Sequence, residues 1–243
     1  SLIESFKKVI VNGEIHTPYG ATESLPVSSL SGTQILKETQ SKTNQGAGTC
    51  VGKPVPEMEA RVIRITEAVI ETLDRAEVLP AGEVGELIVK GPVVTKGYDQ
   101  LEEATAKAKI KEDNEIWHRM GDTAYLDEQG SIWFCGRVAE RVQMTDGVLF
   151  TDPIEAIFNQ QEGVFRSALI GLGMAPNQIP AIVIQPEQDA EPSDQWAETI
   201  LRAVPEDSPA AKVEKVFFHK SFPVDVRHNA KIHRLTLAKA FQN

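Results

Sequence analysis

The 243-residue sequence predicts a mixed α/β (α+β) fold, in which a β-rich part with a small antiparallel barrel or sheet precedes a compact α/β domain. Three observations lead there. Gly and Pro clusters cut the first half into short pieces of strand texture. A helix start follows Gly136, and strands alternate with helices beyond it. The change of texture falls between Phe134 and Arg141, which divides the chain into 1–136 and 137–243.

The elements follow in order. Ile3, Phe6 and Ile10 recur at helical spacing, so the chain opens on what reads as an element entered midway. Gly46-Ala47-Gly48, Gly52-Lys53-Pro54-Val55-Pro56, Pro80-Ala81-Gly82 and Gly91-Pro92 are turn signals. Between them Glu59 to Thr66 alternates charged and apolar residues, and Val84 to Lys90 is rich in β-formers. Ile116 to Leu126 pairs with Ser131 to Cys135 through Asp127-Glu128-Gln129-Gly130 as a hairpin. Asp152-Pro153-Ile154-Glu155 reads as an N-cap, a first-turn proline and a first-turn acid, opening a helix to about Gln161. Strands over Ser167 to Gly171 and Ile179 to Ile184, a helix from Ser193 to Ala203 and a strand from Lys212 to His219 complete the second part.

Composition narrows the function. With 41% hydrophobic and 25% charged residues the chain has the balance of a soluble globular protein, and no apolar run reaches the ~20 residues of a membrane-spanning helix. A net charge of -10 argues against tight, sequence-independent binding to nucleic acid or to an anionic membrane face. Cys50 and Cys135 stand apart from any metal or redox spacing, so a structural role in a reducing, cytoplasmic setting is expected. No signal peptide is read at the start. His16, His118, His219, His228 and His233 compose no recognisable nucleophile and base set.

Four motifs carry candidate chemistry. In Tyr19-Gly20-Ala21-Thr22-Glu23 a glycine permits a tight turn, and a hydroxyl and a carboxylate then project together, a pair suited to a phosphate oxygen and its Mg²⁺. The competing reading is a polar loop capping a helix through Thr22 or Ser24. The block from Gly85 to Gly91 and on to Lys96-Gly97-Tyr98 is architectural, with no catalytic group assigned to it. In Arg119-Met120-Gly121-Asp122 followed by Gly136-Arg137, a carboxylate able to accept from two ribose hydroxyls is matched with a permanently charged donor fork, a plain surface ion pair being the alternative. Finally, Pro223 to Arg234 places Lys231 in a turn-rich segment whose neighbours Ile232 and Leu235 can anchor it, although a lysine in such a loop is more often merely solvated.

In their order and spacing these motifs resemble the adenylate-forming superfamily of acyl-CoA synthetases, peptide-synthetase adenylation domains and luciferases, over nearly the whole chain. The wording around Trp133 to Val142 and Pro223 to Arg234 is most similar to that of the β-lactone synthetases of olefin biosynthesis. The resemblance implies that 1–136 is the last portion of a large adenylate-forming domain and that 137–243 is a small mobile domain carrying a lysine loop. It implies ATP and Mg²⁺ as cofactors. Tyr19 and Gly20 would lie against the nucleotide, with the Tyr19 ring on the adenine. Thr22 would contact the α-phosphate, Glu23 would help hold Mg²⁺, Asp122 would bind the ribose hydroxyls and Arg137 the ribose or phosphate. Lys231 would bridge the α-phosphate and the substrate carboxylate.

Two departures from the family pattern qualify the resemblance. Ala139 stands where many relatives carry an acidic hinge residue, with Glu140 next, and Ala230 stands where a glycine usually precedes the lysine. The second departure favours the lactone subgroup, whose implied substrate is a 2-alkyl-3-hydroxy fatty acid. The glycine- and hydroxyl-rich phosphate loop that the family places before its Tyr-Gly motif is not found ahead of Tyr19. The expectation is therefore a portion of a longer enzyme, inactive alone, whose partners are ATP or AMP, a fatty acid type substrate, the remaining part of the same enzyme and other olefin-pathway enzymes. Self-association through surface that the remaining part covers is a further expectation. A fatty acyl-CoA or acyl-AMP ligase, and a noncatalytic domain binding a carrier protein or another partner, are the competing readings.

Overall fold

Thirteen strands and a set of short helices are found in a computed structural model that describes residues 2–10, 12–225 and 231–242. Two compact units emerge, one comprising the residues up to Thr43 with Gly48–Val138, the other Asn44–Ala47 with the residues from Ala139 onward.

In the first unit the helix Leu2–Val9 leads to a hairpin of β1 (His16–Ala21) and β2 (Ser24–Ser31). A six-stranded antiparallel sheet follows, formed by β3 (Thr49–Gly52), β4 (Glu59–Ile63), β5 (Gly85–Lys90), β6 (Lys109–Glu112), β7 (Glu115–Leu126) and β8 (Ile132–Arg137). The order is β3-β8-β7-β5-β4, with β6 also on β7. The twelve-residue β7 organises it, because β6 pairs with Glu115 to His118 while β8 pairs with Asp122 to Leu126. All six residues of β5 are buried, which explains why this strand reads as a continuous run, as a central strand covered on both faces must. Leu87 and Val89 join one core with Val27, Val62, Met120 and Ile132, while Ile88 joins Ile63, Ile110 and Trp117 in another. The β7–β8 turn is held by Asp127, whose Oδ1 accepts the Gln129 and Ser131 amide hydrogens at 3.0 and 2.8 Å.

The second unit contains a short hairpin, β9 (Val142–Met144) with β10 (Gly147–Leu149), and a three-stranded sheet of β11 (Val164–Leu172), β12 (Ile179–Pro186) and β13 (Lys215–Phe218). β11 is antiparallel to β12, and β13 is parallel to it. Alternate residues serve two cores. Leu169, Ile182 and Ile184 face Phe158 and Ile200 from the helices Thr151–Phe158 and Asp194–Arg202. Ala168, Ile170 and Val183 face Ile232 and Leu237, the latter in the helix Arg234–Ala240. Ser193 caps the helix Asp194–Arg202 by accepting from the Trp196 amide.

The mixed α/β class with an antiparallel sheet is thus as the sequence indicates, and local signals differ in detail. Asp152 does not cap its helix: the helix begins at Thr151 after an extended Phe150, and no side chain caps it. Among the described residues no helix is long and apolar enough to cross a membrane.

Candidate nucleotide-contacting site

The Tyr-Gly motif forms the tip of a hairpin rather than a helix-capping loop. Ala21 pairs with Ser24, leaving Thr22 and Glu23 as the two turn residues, with Thr22 exposed. Gly20 is required by close approach, since a Cβ there would lie 2.4 Å from the Ser24 carbonyl oxygen and 2.9 Å from the Leu25 side chain.

The hairpin sends the Tyr19 ring into the first core, 6.3 Å from the Phe134 ring centre. Its phenol donates to Oδ2 of Asp122. Asp122 and Arg137 are direct cross-strand partners on β7 and β8, and the Arg137 guanidinium lies 2.7 Å from the other carboxylate oxygen. Tyr19 from the first motif and Arg137 from the third therefore meet at the Asp122 carboxylate. Burial pushes the Asp122 carboxyl upward and the Arg137 charge opposes it. Burial, together with the Asp122 charge, raises the Tyr19 phenol well above its ordinary value, so it stays protonated near neutral pH and can donate to Asp122. The Arg137 side chain remains 44% exposed, leaving donors of its fork open to an anionic ligand.

Glu23 belongs to a second group. Its carboxylate accepts from the Tyr98 phenol at 2.9 Å, and its carbonyl accepts the Thr95 amide hydrogen at 2.9 Å. Against the upward push of burial, the Tyr98 hydrogen bond and the Lys109 charge hold this carboxyl below its ordinary value. Lys109 itself is buried, donates to the Thr95 hydroxyl at 3.1 Å and is pushed down by desolvation. Tyr98 is a residue that sequence reasoning passed over, because the Lys-Gly-Tyr block looked architectural. Among the described residues no three of His, Cys, Asp and Glu converge as a metal-binding set, so Glu23 offers a single protein carboxylate.

Lys231 lies in the second unit with its side chain exposed. Val226, Arg227, His228, Asn229 and Ala230, which form the rest of the lysine loop, lie outside the described residues. Both ends of that loop are nevertheless anchored: Asp225 donates its amide hydrogen to the Lys231 carbonyl at 2.9 Å, and His233 donates to that of Pro223 at 2.8 Å. Ile232 between them is buried in the sheet core. Cys50 and Cys135 are both buried free thiols.

Comparison with known proteins agrees with the family resemblance of the sequence. The family model described as AMP-binding enzyme matches residues 1–99. The chain is 42% identical over 232 residues to an olefin beta-lactone synthetase of Stenotrophomonas maltophilia, covering 93% of this chain and 42% of that protein. It is 43% identical over 234 residues to an olefin beta-lactone synthetase of Xanthomonas campestris pv. campestris, with the same two coverages. The chain thus spans 42% of the length of these curated relatives. Its fold matches that of ATP-bound MatB from Rhodopseudomonas palustris with a TM-score of 0.73 at 21% identity, covering 99% of this chain and 44% of that one. By its ordered motifs and these matches, the chain belongs to the adenylate-forming family of AMP-binding enzymes.

Proposed function

We propose that these residues supply the late, nucleotide-contacting part of an ATP-dependent enzyme that activates a 2-alkyl-3-hydroxy fatty acid as its acyl-adenylate and closes it to a β-lactone. The observation that carries this reading is the 42% identity over 232 residues to an olefin beta-lactone synthetase, which extends through the Asp122 and Arg137 region. On this reading the 243 residues alone turn over no ATP, the relatives being more than twice as long. The enzyme works in the reducing cytoplasm, in keeping with two buried free thiols.

Asp122 accepts from the ribose hydroxyls, and the exposed part of the Arg137 fork donates to ribose or phosphate. Tyr19 and Gly20 line the adenine side, and Thr22, at the exposed hairpin tip, donates to the α-phosphate. Glu23, oriented by Tyr98, would hold Mg²⁺ through its carboxylate, the single protein carboxylate the motif offers. Bound there, Mg²⁺ neutralises charge on the phosphates. Lys231 places its ammonium between the α-phosphate and the substrate carboxylate, stabilising the negative charge that builds as a carboxylate oxygen bonds to the α-phosphorus and pyrophosphate leaves. In the second step the 3-hydroxyl oxygen bonds to the activated carbonyl carbon, the bond to AMP breaks, and the hydroxyl proton passes to water. Coenzyme A takes no part. The site's task there is to hold hydroxyl and carbonyl in near-attack geometry.

The test is a reaction of the protein of the relatives' length with a 2-alkyl-3-hydroxy acid, ATP and Mg²⁺, without thiol. A product lighter than the acid by one water, formed with AMP and pyrophosphate, is the expected result. A strict requirement for coenzyme A would sink the lactone reading in favour of a thioester-forming ligase. Lys231→Ala is expected to lower ATP–pyrophosphate exchange at least about hundredfold, the loss seen when a single transition-state charge partner is removed. Exchange at the unaltered rate would take Lys231 out of the reaction.

A further inference from the structure

The second unit contains a buried ion triad close in sequence to Lys231. Arg234, the first residue of the last helix, donates from Nε to Oε1 of Glu155 and from an η-nitrogen to Oε2, both at 2.6 Å. Its other η-nitrogen donates to Glu140 at 2.9 Å. The three side chains are 17%, 8% and 15% exposed, so the fork is almost wholly inside. Glu155 also accepts the amide hydrogen of Leu169 at 2.9 Å, on the outer edge of β11. One carboxylate thereby closes a strand edge and fixes the guanidinium in both planar directions.

Ordinary surface pairing would not bury three charges. Fixing a geometry is a better account, since a bidentate arginine specifies orientation as well as distance. What it orients is the short ladder at the base of the lysine loop. Val224 bridges Ile232, Asp225 bonds to the Lys231 carbonyl, and His233 bonds to Pro223. His233 in turn accepts from the Thr236 and Leu237 amides, so the ladder runs directly into the helix that Arg234 begins. Glu140 lies two residues beyond Val138, where the first unit ends.

We propose that Arg234 is the positioning residue for Lys231, with Glu155 as its fixed anchor and Glu140 as the second carboxylate that locks the helix start. The sequence pattern singled out Glu140 only as a neighbour of the absent hinge acid at position 139. The structure assigns its carboxylate to Arg234. The statement that Lys231 acts in adenylation rests on the function proposed above; the statement that the triad sets the Lys231 ladder does not.

Two measurements separate these. Hydrogen exchange on the 243-residue chain reports the ladder itself. Arg234→Lys retains charge without the fork, and Glu140→Gln retains shape without charge. Both are expected to speed exchange of the Asp225 and His233 amides about tenfold or more, while amides paired between β11 and β12 keep their rates. Wild-type rates at Asp225 and His233 in both variants would overturn the proposal. In the protein of the relatives' length, the same variants should lower kcat for ATP–pyrophosphate exchange roughly ten- to hundredfold with the KM for ATP within about twofold, as expected for a misplaced catalytic group. An unchanged kcat with a raised KM would count against it. If the wild type shows no exchange activity, the function reading fails and the amide exchange alone decides this one.

Discussion

The Tyr19 phenol donates to the Asp122 carboxylate across 103 positions of sequence, and Arg137 holds that carboxylate from the opposite strand. The pair joins the hairpin to the centre of the sheet, because the Tyr19 ring lies within the same core as Met120 and Ile132. Tyr19→Phe keeps the ring and removes only the donor. Asp122, 4% exposed, would then keep Arg137 alone, and the cost should be about 1–3 kcal/mol for a buried hydrogen bond to a charged group. Urea unfolding of the two proteins checks this. A difference under about 0.5 kcal/mol would mean the bond contributes little beyond what water supplies to the unfolded chain.

Arg119, in the same motif as Asp122, has a different task. It donates twice to Glu86, at 3.0 and 2.6 Å, and also to the carbonyls of Thr66, Ala68 and Lys107. This guanidinium therefore ties β5, β7, the loop after β4 and the last turn of the helix Glu102–Ala108 together and is a fold residue. Arg119→Met leaves Glu86, 3% exposed, as a buried carboxylate without its ion pair, and should destabilise the chain by about 3–5 kcal/mol. Adding Glu86→Gln should recover part of that loss, while the three unpartnered carbonyls keep the rest. Equal stability of the single and double variants in urea would show that the loss lies in the carbonyl contacts alone.

Arg119 illustrates what the sequence makes legible and what it conceals. Motifs whose function rests on local order, such as the Asp127 turn or the glycine of the Tyr-Gly hairpin, can be read directly because their partners lie within a few residues. Partnerships that cross the fold cannot. The Tyr98 to Glu23 bond spans 75 positions and the Arg234 to Glu155 bond 79, and nothing in the spacing of either pair marks it. Asp152-Pro153 fails in the opposite way: the local signal is strong, yet Thr151 is buried and already helical, so tertiary packing sets the helix start two residues earlier, with Phe150 rather than Asp152 at the N-cap position.

His118 is the residue whose titration the fold alters most usefully for experiment. It is 3% exposed on β7, and its ring hydrogen at Nδ1 is directed to the Ala108 carbonyl at 3.2 Å. Burial pushes it down to about 4, with the nearby Lys109 charge acting in the same direction and the Ala108 bond and Glu23 opposing. The unfolded chain takes up this proton as pH falls through the ordinary histidine value of about 6.5, whereas the folded chain does not until about 4. The stability contributed by a neutral His118 is thus fully present above about pH 6.5 and is lost progressively down to about 4, by at most about 3 kcal/mol. His118→Asn keeps a donor for Ala108 and removes the titration. Between pH 7 and 4 the wild type should lose up to about 3 kcal/mol more unfolding free energy than the variant, measured by urea titration at each pH. Parallel curves across that range would show that His118 is not held neutral by the fold.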